Sequence, residues 1–216
     1  MKKSLSFLRD LKKNNNRDWF QANRDRYEQA RTEHLAFIET LISGIGLFDP
    51  DLGPVNPKST IFRINRDIRF SKDKSPYKTH FGAFINREGR NLEKAGYYFH
   101  LDPEGSFIAG GIYHPGSEVL KRIRQEINEN PEEFRGIIGE AKFRQLFGEL
   151  YDDRLKTAPK GFPKDFEYIG LLKYKSYMVS HDLKEEQVTS EGLAHETLKV
   201  MQMMHPLIRF INYALE

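Results

Sequence analysis

An α+β fold, with an antiparallel meander of about four to five strands packed against N- and C-terminal helices, follows from three features of this 216-residue chain. Apolar residues recur at spacings of three and four from Phe20 to Ile45, switch to period 2 from Ile61 to Tyr113, and return to helical spacing after Pro115. The period-2 runs are joined by connections too short for a parallel return, which needs a dozen or more residues, so they pair antiparallel. A chain of this length buries enough surface to fold without disulfides, and it contains no cysteine. No repeat or low-complexity linker divides it, so residues 1–216 read as a single domain.

The elements follow in order. Ser4 is placed to cap a short helix carrying Phe7, Leu8 and Leu11, which Asn14-Asn15-Asn16 ends. Trp19-Phe20 reads as a core anchor. A longer helix runs through Tyr27, Ala30, His34, Phe37 and Leu41 to Ile45, closed by Ser43-Gly44-Ile45-Gly46. Residues 49–58 hold three prolines and a glycine and read as a surface connection. From Ile61 to Phe70 the chain alternates: Phe62, Ile64, Ile68 and Phe70 to one side, Arg63, Asn65, Asp67 and Arg69 to the other. Strands are expected again at 81–86, 97–101 and 107–113, with turns at Arg87-Glu88-Gly89-Arg90-Asn91 and Asp102-Pro103-Glu104-Gly105. Ser117 is placed to cap a helix, Asn130-Pro131-Glu132-Glu133 resembles a capping box, and 157–163 is a loop. Leu171 to Val179 reads as a further strand. A last helix starts at Ser190, and Pro206 is expected to break it.

Composition removes several function classes. Aromatics make up 12% of the chain, too many for a disordered one. Without cysteine there is no thiol catalysis, redox relay or zinc ribbon. No apolar run approaches the roughly 18 residues of a membrane span, and Met1-Lys2-Lys3 is not followed by a signal-type apolar core. A cytoplasmic location without membrane contact is the expectation.

The net charge of +3 is small, but it is concentrated. Residues 63–78 carry six cations (Arg63, Arg66, Arg69, Lys72, Lys74, Lys78) against Asp67 and Asp73, a net +4, so the rest of the chain sums to −1. Focused positive charge raises the local concentration of anions. In the strand reading Asp67 lies between Arg63 and Arg69, where a carboxylate orients guanidinium forks toward phosphate or carboxylate. Arg66 falls on the apolar face and needs a bulge, an edge or an acid, with Asp67 or a distant Glu as partner. The loop beyond supplies three lysines and the hydroxyls of Ser71, Ser75 and Tyr77, stiffened by Pro76.

Three functions fit. The first is a site for a phosphate-bearing or other anionic ligand, nucleotide or nucleic acid, held by the six cations. The second is a hydrolase-like enzyme on a small anionic substrate, with Asp67 or Asp73 as base or metal ligand and Tyr77 or His80 as proton donor. The third is a structural or interaction protein whose motif is an internal ion-pair network. Lys156, Lys160, Lys164, Lys173 and Lys175 read as solvated surface. His100, Asp102 and Tyr98 share a strand face, with His80 and His114 as possible neighbours. Their spacing matches no metal signature, so no metal ligands and no cofactor are assigned, and the histidines read as structural. Gly110-Gly111 reads as a close backbone approach rather than a phosphate cradle.

Three parts of the chain resemble the bacterial and fungal family called domain of unknown function 2461. They are Asn15-Asn16-Arg17-Asp18-Trp19-Phe20, the motif Arg63-x-x-Arg66-Asp67-x-Arg69-Phe70-x-Lys72-Asp73-Lys74-x-Pro76-Tyr77-Lys78, and the turn Gly110-Gly111-x-Tyr113-x-Pro115 with the loop Pro159-Lys160-Gly161. The resemblance covers nearly the whole chain and implies a single-domain protein of this size, with no activity to carry over. In that family an Asp-His pair often follows the Pro-Lys-Gly loop. Here Asp165 precedes Phe166, so no catalytic His is carried over there.

Overall fold

A computed structural model describes residues 1–89 and 91–216. Four strands, β1 (Phe81–Ile85), β2 (Gly96–Leu101), β3 (Ser106–Ile112) and β4 (Tyr177–Leu183), form one antiparallel sheet in the order β1-β2-β3-β4. Ahead of it come α1 (Lys2–Lys13), α2 (Arg17–Ala22), α3 (Arg24–Ile45), a 3-10 turn (Pro50–Leu52) and α4 (Pro57–Thr60). Between β3 and β4 lie α5 (Ser117–Glu129), α6 (Pro131–Gly139), α7 (Ala141–Phe147) and α8 (Ile169–Leu172); α9 (Glu185–Thr189) and α10 (Leu193–Tyr213) end the chain. The α+β expectation with about four strands holds. Among the described residues no helix is long and apolar enough to cross a membrane.

The chain clusters into two compact units. The first comprises Met1–Arg90, Tyr98–Ile108 and Asp182–Lys199. Its core is aromatic: Phe7 of α1 meets Trp19, Phe20, Tyr27 and Phe81 at ring separations of 5.7–6.5 Å. Ala30, Ile38, Leu41 and Ile45 keep the helical spacing on the buried side of α3. The Leu198 side chain fills the space over Gly44, where a Cβ would push it aside. Ser4 is not a cap, because α1 starts at Lys2. It is buried inside the helix, where its hydroxyl donates to Ala30 O (3.0 Å) and pairs with Glu33 (2.6 Å). The long N-terminal helix splits at Asn23, which caps α2 at one side and opens α3 at the other.

The second unit comprises Asn91–Tyr97, Ala109–His181 and Val200–Glu216. Phe134 packs against Tyr177 (5.9 Å) and Phe210 (5.1 Å), with Ile123 and Ile127 of α5 fully buried. Gly111 has φ 121°, and a Cβ there would stand 2.1 Å from the Tyr177 carbonyl oxygen, which accounts for the glycine pair as a close approach. α5 begins with Gly116 as its cap rather than Ser117, and Asn130 caps α6 without a side-chain bond.

Four further expectations need correction. Ile61 to Phe70 is not a regular strand: only the isolated bridges Ile61↔Ala83 and Asn65↔Tyr77 form, and Phe70 is 96% exposed. The last strand is Tyr177–Leu183, because Leu171 and Leu172 of the expected strand belong to the helical turn α8. Pro206 does not break α10. Pro206 and Gln202, whose carbonyl loses its helical partner, are both exposed, so the helix runs through the proline on its solvent side. The turn after β1 is tighter than expected, closing between Asn86 and Gly89 (N–H to O 3.0 Å); Arg90, part of the expected turn, lies outside the described residues.

Candidate functional site

The basic segment is a surface loop with a pinned stem. Phe62 N–H donates to Gly82 O (3.0 Å), Lys78 N–H to Ile64 O (2.8 Å) and Arg66 N–H to Pro76 O (2.9 Å), so 62–66 pairs with 76–82 and leaves 67–75 as the loop. Asn15 locks this stem from outside. Its Nδ2 donates to Tyr77 O (2.9 Å) and its Oδ1 accepts Tyr77 N–H (3.1 Å), filling both backbone positions as a strand neighbour would. Phe20 stacks on the buried Tyr77 ring at 4.0 Å and 15°. Asn16 supplies the cap of the helix that carries Phe20, accepting Trp19 N–H at 2.9 Å.

Beyond the stem the loop organises itself through its two acids. Asp67 accepts from Arg69 Nε (2.9 Å) and Nη2 (2.6 Å), a bidentate pair, and from the Arg69 backbone N–H (3.3 Å). Asp73 accepts from Ser75 N–H (2.9 Å) and Oγ (2.6 Å) and pairs with Arg66. The partner of Arg66 is therefore Asp73, not Asp67. Lys74 Nζ caps the Ile68 carbonyl at 2.9 Å. These bonds depress both carboxyls. The Arg69 side chain is the main cause at Asp67, and the Ser75 hydroxyl and amide, followed by Arg66, at Asp73. Arg63, Lys72 and Lys74 are exposed, and Lys78 is half-buried with its ammonium over the Phe62 ring (5.4 Å).

The four residues read as catalytic have different settings. Asp67 and Asp73 each close on a cation, and Tyr77 lies under Phe20. His80 belongs to a second constellation, in the first unit just ahead of β1. Its ring lies 4.5 Å from that of His100, and ligand atoms of His80, His100 and Asp102 fall within 4.8 Å of one another. Tyr98, two residues before His100 on the same face, places its hydroxyl 2.9 Å from His100 Nδ1. Phe107 stacks on the other side of the His100 ring (4.6 Å, 20°). Burial lowers the His100 pKa to about 4, with His80 adding to the effect and Asp102 opposing it. Burial and then Lys78 lower that of His80, and burial raises Tyr98 to about 12. Two neutral imidazoles and a carboxylate thus converge around neutral pH.

His114 is not part of this cluster. It belongs to the second unit, has a strained φ of 43°, and faces Asp153 (3.4 Å), which also binds Lys175 (2.6 Å). Two residues escaped the sequence reading. The signal for Phe70 was the unbroken polar run after it, which is loop composition. For Asn15, a lone side chain bridging 62 residues leaves no periodic trace.

No curated protein and no solved structure matches the chain. The family model described as conserved hypothetical protein (DUF2461) matches residues 3–210, and the chain, whose two motifs meet at Tyr77, belongs to that family.

Proposed function

We propose that the protein recognises a phosphate-bearing or other anionic ligand, a nucleotide or nucleic acid, through the cations of residues 63–78. Phe70 carries the reading. It stands 96% exposed in the loop, with the Arg69 guanidinium 5.9 Å from its ring and Lys72 and Lys74 following. An aromatic face in water adds nothing to the core, whereas a base stacked on it contributes about 1–3 kcal/mol. The neighbouring cations suit the phosphates that accompany a base. Asp67 occupies Nε and Nη2 of Arg69, fixing the guanidinium plane and leaving Nη1 for an anion.

The test is fluorescence anisotropy with labelled mixed-sequence single-stranded DNA and RNA over a salt series, with ATP as competitor. From the segment's net charge of +4, log affinity against log salt is expected to slope by about −3 to −4. Phe70→Ala weakens binding about tenfold at every salt concentration, while Lys72→Glu flattens the slope. A flat salt response, or binding indifferent to both substitutions, refutes the reading.

A second reading, a hydrolase-like enzyme on a small anionic substrate, is favoured by His80 lying against His100 and Asp102. Asp67 and Asp73 suit it poorly as bases, since their partners lower both pKa values and with them the affinity for a proton. Phosphate-ester turnover that survives Asp67→Asn and fails in His80→Gln would support it; no turnover removes it.

A further inference from the structure

We propose that His80, His100 and Asp102 form a binding site for a divalent first-row transition-metal ion of the zinc or cobalt kind. The inference is independent of anion recognition by the basic loop.

The donor set is two imidazole nitrogens and one carboxylate oxygen, mutually within 4.8 Å, with His100 Nε2 and Asp102 Oδ2 at 3.9 Å. Metal bonds of about 2.0–2.2 Å place tetrahedral neighbours about 3.4 Å apart. The side chains reach that spacing by closing about 0.5 Å between His100 and Asp102 and at most about 1.4 Å elsewhere, within the reach of side-chain rotations. Nitrogen and oxygen donors without thiolate suit zinc, cobalt and nickel, and exclude the soft-ligand sites of copper(I).

The surroundings hold each donor in place. Asp102 Oδ1 is engaged by Glu104 N–H (2.9 Å), which leaves Oδ2 toward His100. The Ser106 hydroxyl accepts Asp102 N–H (3.1 Å) and donates to Asp102 O (3.0 Å), fixing the turn that carries the carboxylate. The Tyr98 hydroxyl lies 2.9 Å from His100 Nδ1, and in the tautomer with the proton on Nδ1 it would accept that N–H and leave the Nε2 lone pair for a metal. Phe107 restrains the ring plane. Among the described residues neither His80 nitrogen has a hydrogen-bond partner, although the ring is only half-exposed. Two imidazoles, one without a partner, turned toward the free oxygen of a carboxylate that is anchored by its other oxygen make little sense as packing alone. They are the parts of an open site with three protein ligands, whose remaining positions take water.

The experiment uses untagged full-length protein, stripped with EDTA and dialysed. Co2+ is added with the ligand-field absorption followed, and Zn2+ is then added to displace it. One Co2+ per chain is expected, displaced by one Zn2+. His80→Gln and Asp102→Asn each weaken uptake at least about 100-fold, and Tyr98→Phe about tenfold. Far-ultraviolet circular dichroism without metal shows each variant folded; Asp102→Asn retains the oxygen that accepts Glu104 N–H, so the turn survives it. No Co2+ uptake at millimolar metal, or uptake undiminished in a His80→Gln, Asp102→Asn double variant, overturns the proposal.

Discussion

His34 of α3 is 2% exposed, with its ring packed on Phe81 (5.2 Å) and Phe99 (6.2 Å). Neither ring nitrogen is hydrogen-bonded; the Gly82 carbonyl is close enough to favour the charged form without closing a bond to it. Burial dominates and lowers the pKa from 6.5 to about 4. The unfolded chain therefore takes up a proton near pH 6.5 that the folded chain refuses until about pH 4. Stability must fall as pH drops through that window, because the unfolded state there binds more protons. The full loss is about 3 kcal/mol, of which about 2 kcal/mol lies between pH 7 and pH 5. His34→Leu removes both the titration and the two unpaired nitrogens, which themselves cost about 1–3 kcal/mol. Urea unfolding of both proteins at pH 7 and pH 5 tests this. His80, His100 and the carboxylates titrate in both, so they cancel in the comparison. The stability advantage of the leucine variant should grow by about 2 kcal/mol at the lower pH. An advantage that stays constant with pH would refute the reasoning.

Gly111→Ala forces a Cβ onto the Tyr177 carbonyl at a φ of 121°, and should cost about 3–5 kcal/mol, read as a collapse of the melting temperature. Arg69→Ala breaks a wholly exposed pair and should move the melting temperature by no more than about 2 °C; a steep drop would favour the internal-network reading of the motif. Asn15→Ala removes two bonds to the Tyr77 backbone, and should cost about 1–2 kcal/mol and speed hydrogen exchange at Tyr77 N–H; unchanged exchange would show that the stem holds without the clamp.

The first three strands were legible because alternation and turn residues agree there: 81–86, 97–101 and 107–113 differ from β1 to β3 by a residue at one or both ends. The alternation from Ile61 to Phe70 was equally clean, yet it forms ladder bonds only as far as Arg66. Asp67 and Asp73 explain the difference. Each accepts a backbone N–H two residues on, at Arg69 and Ser75, so side chains take up amides that a continuing ladder would need. β4 shows the converse. Tyr177, Val179 and Leu183 alternate as a strand requires, but the apolar run at 169–172 drew the expected boundary too early. At the site, the cations and the shared face of Tyr98, His100 and Asp102 were readable from spacing. The approach of His80 to His100 was not, because His80 lies just ahead of β1 and where it meets β2 depends on the register of the two strands.

The two motifs of the N-terminal half are one construction. Asn15 holds Tyr77 by its backbone and Phe20 holds it by its ring, while Asn16 caps the helix that presents Phe20. The stem of the basic loop is thereby anchored in the core of the first unit, and Phe70 stays in water. A loop with a fixed stem loses less conformational freedom on binding than a free one, so more of its contact energy appears as affinity. The same arithmetic constrains the acids. Asp67 and Asp73 cancel two of six charges, and in return each restrains one arginine. Had the segment served only as a solvated face, cations alone would have sufficed. Paired acids make sense where the direction of a guanidinium matters more than the total field, so the proposed anion recognition should respond to the orientation of Arg69 as well as to salt.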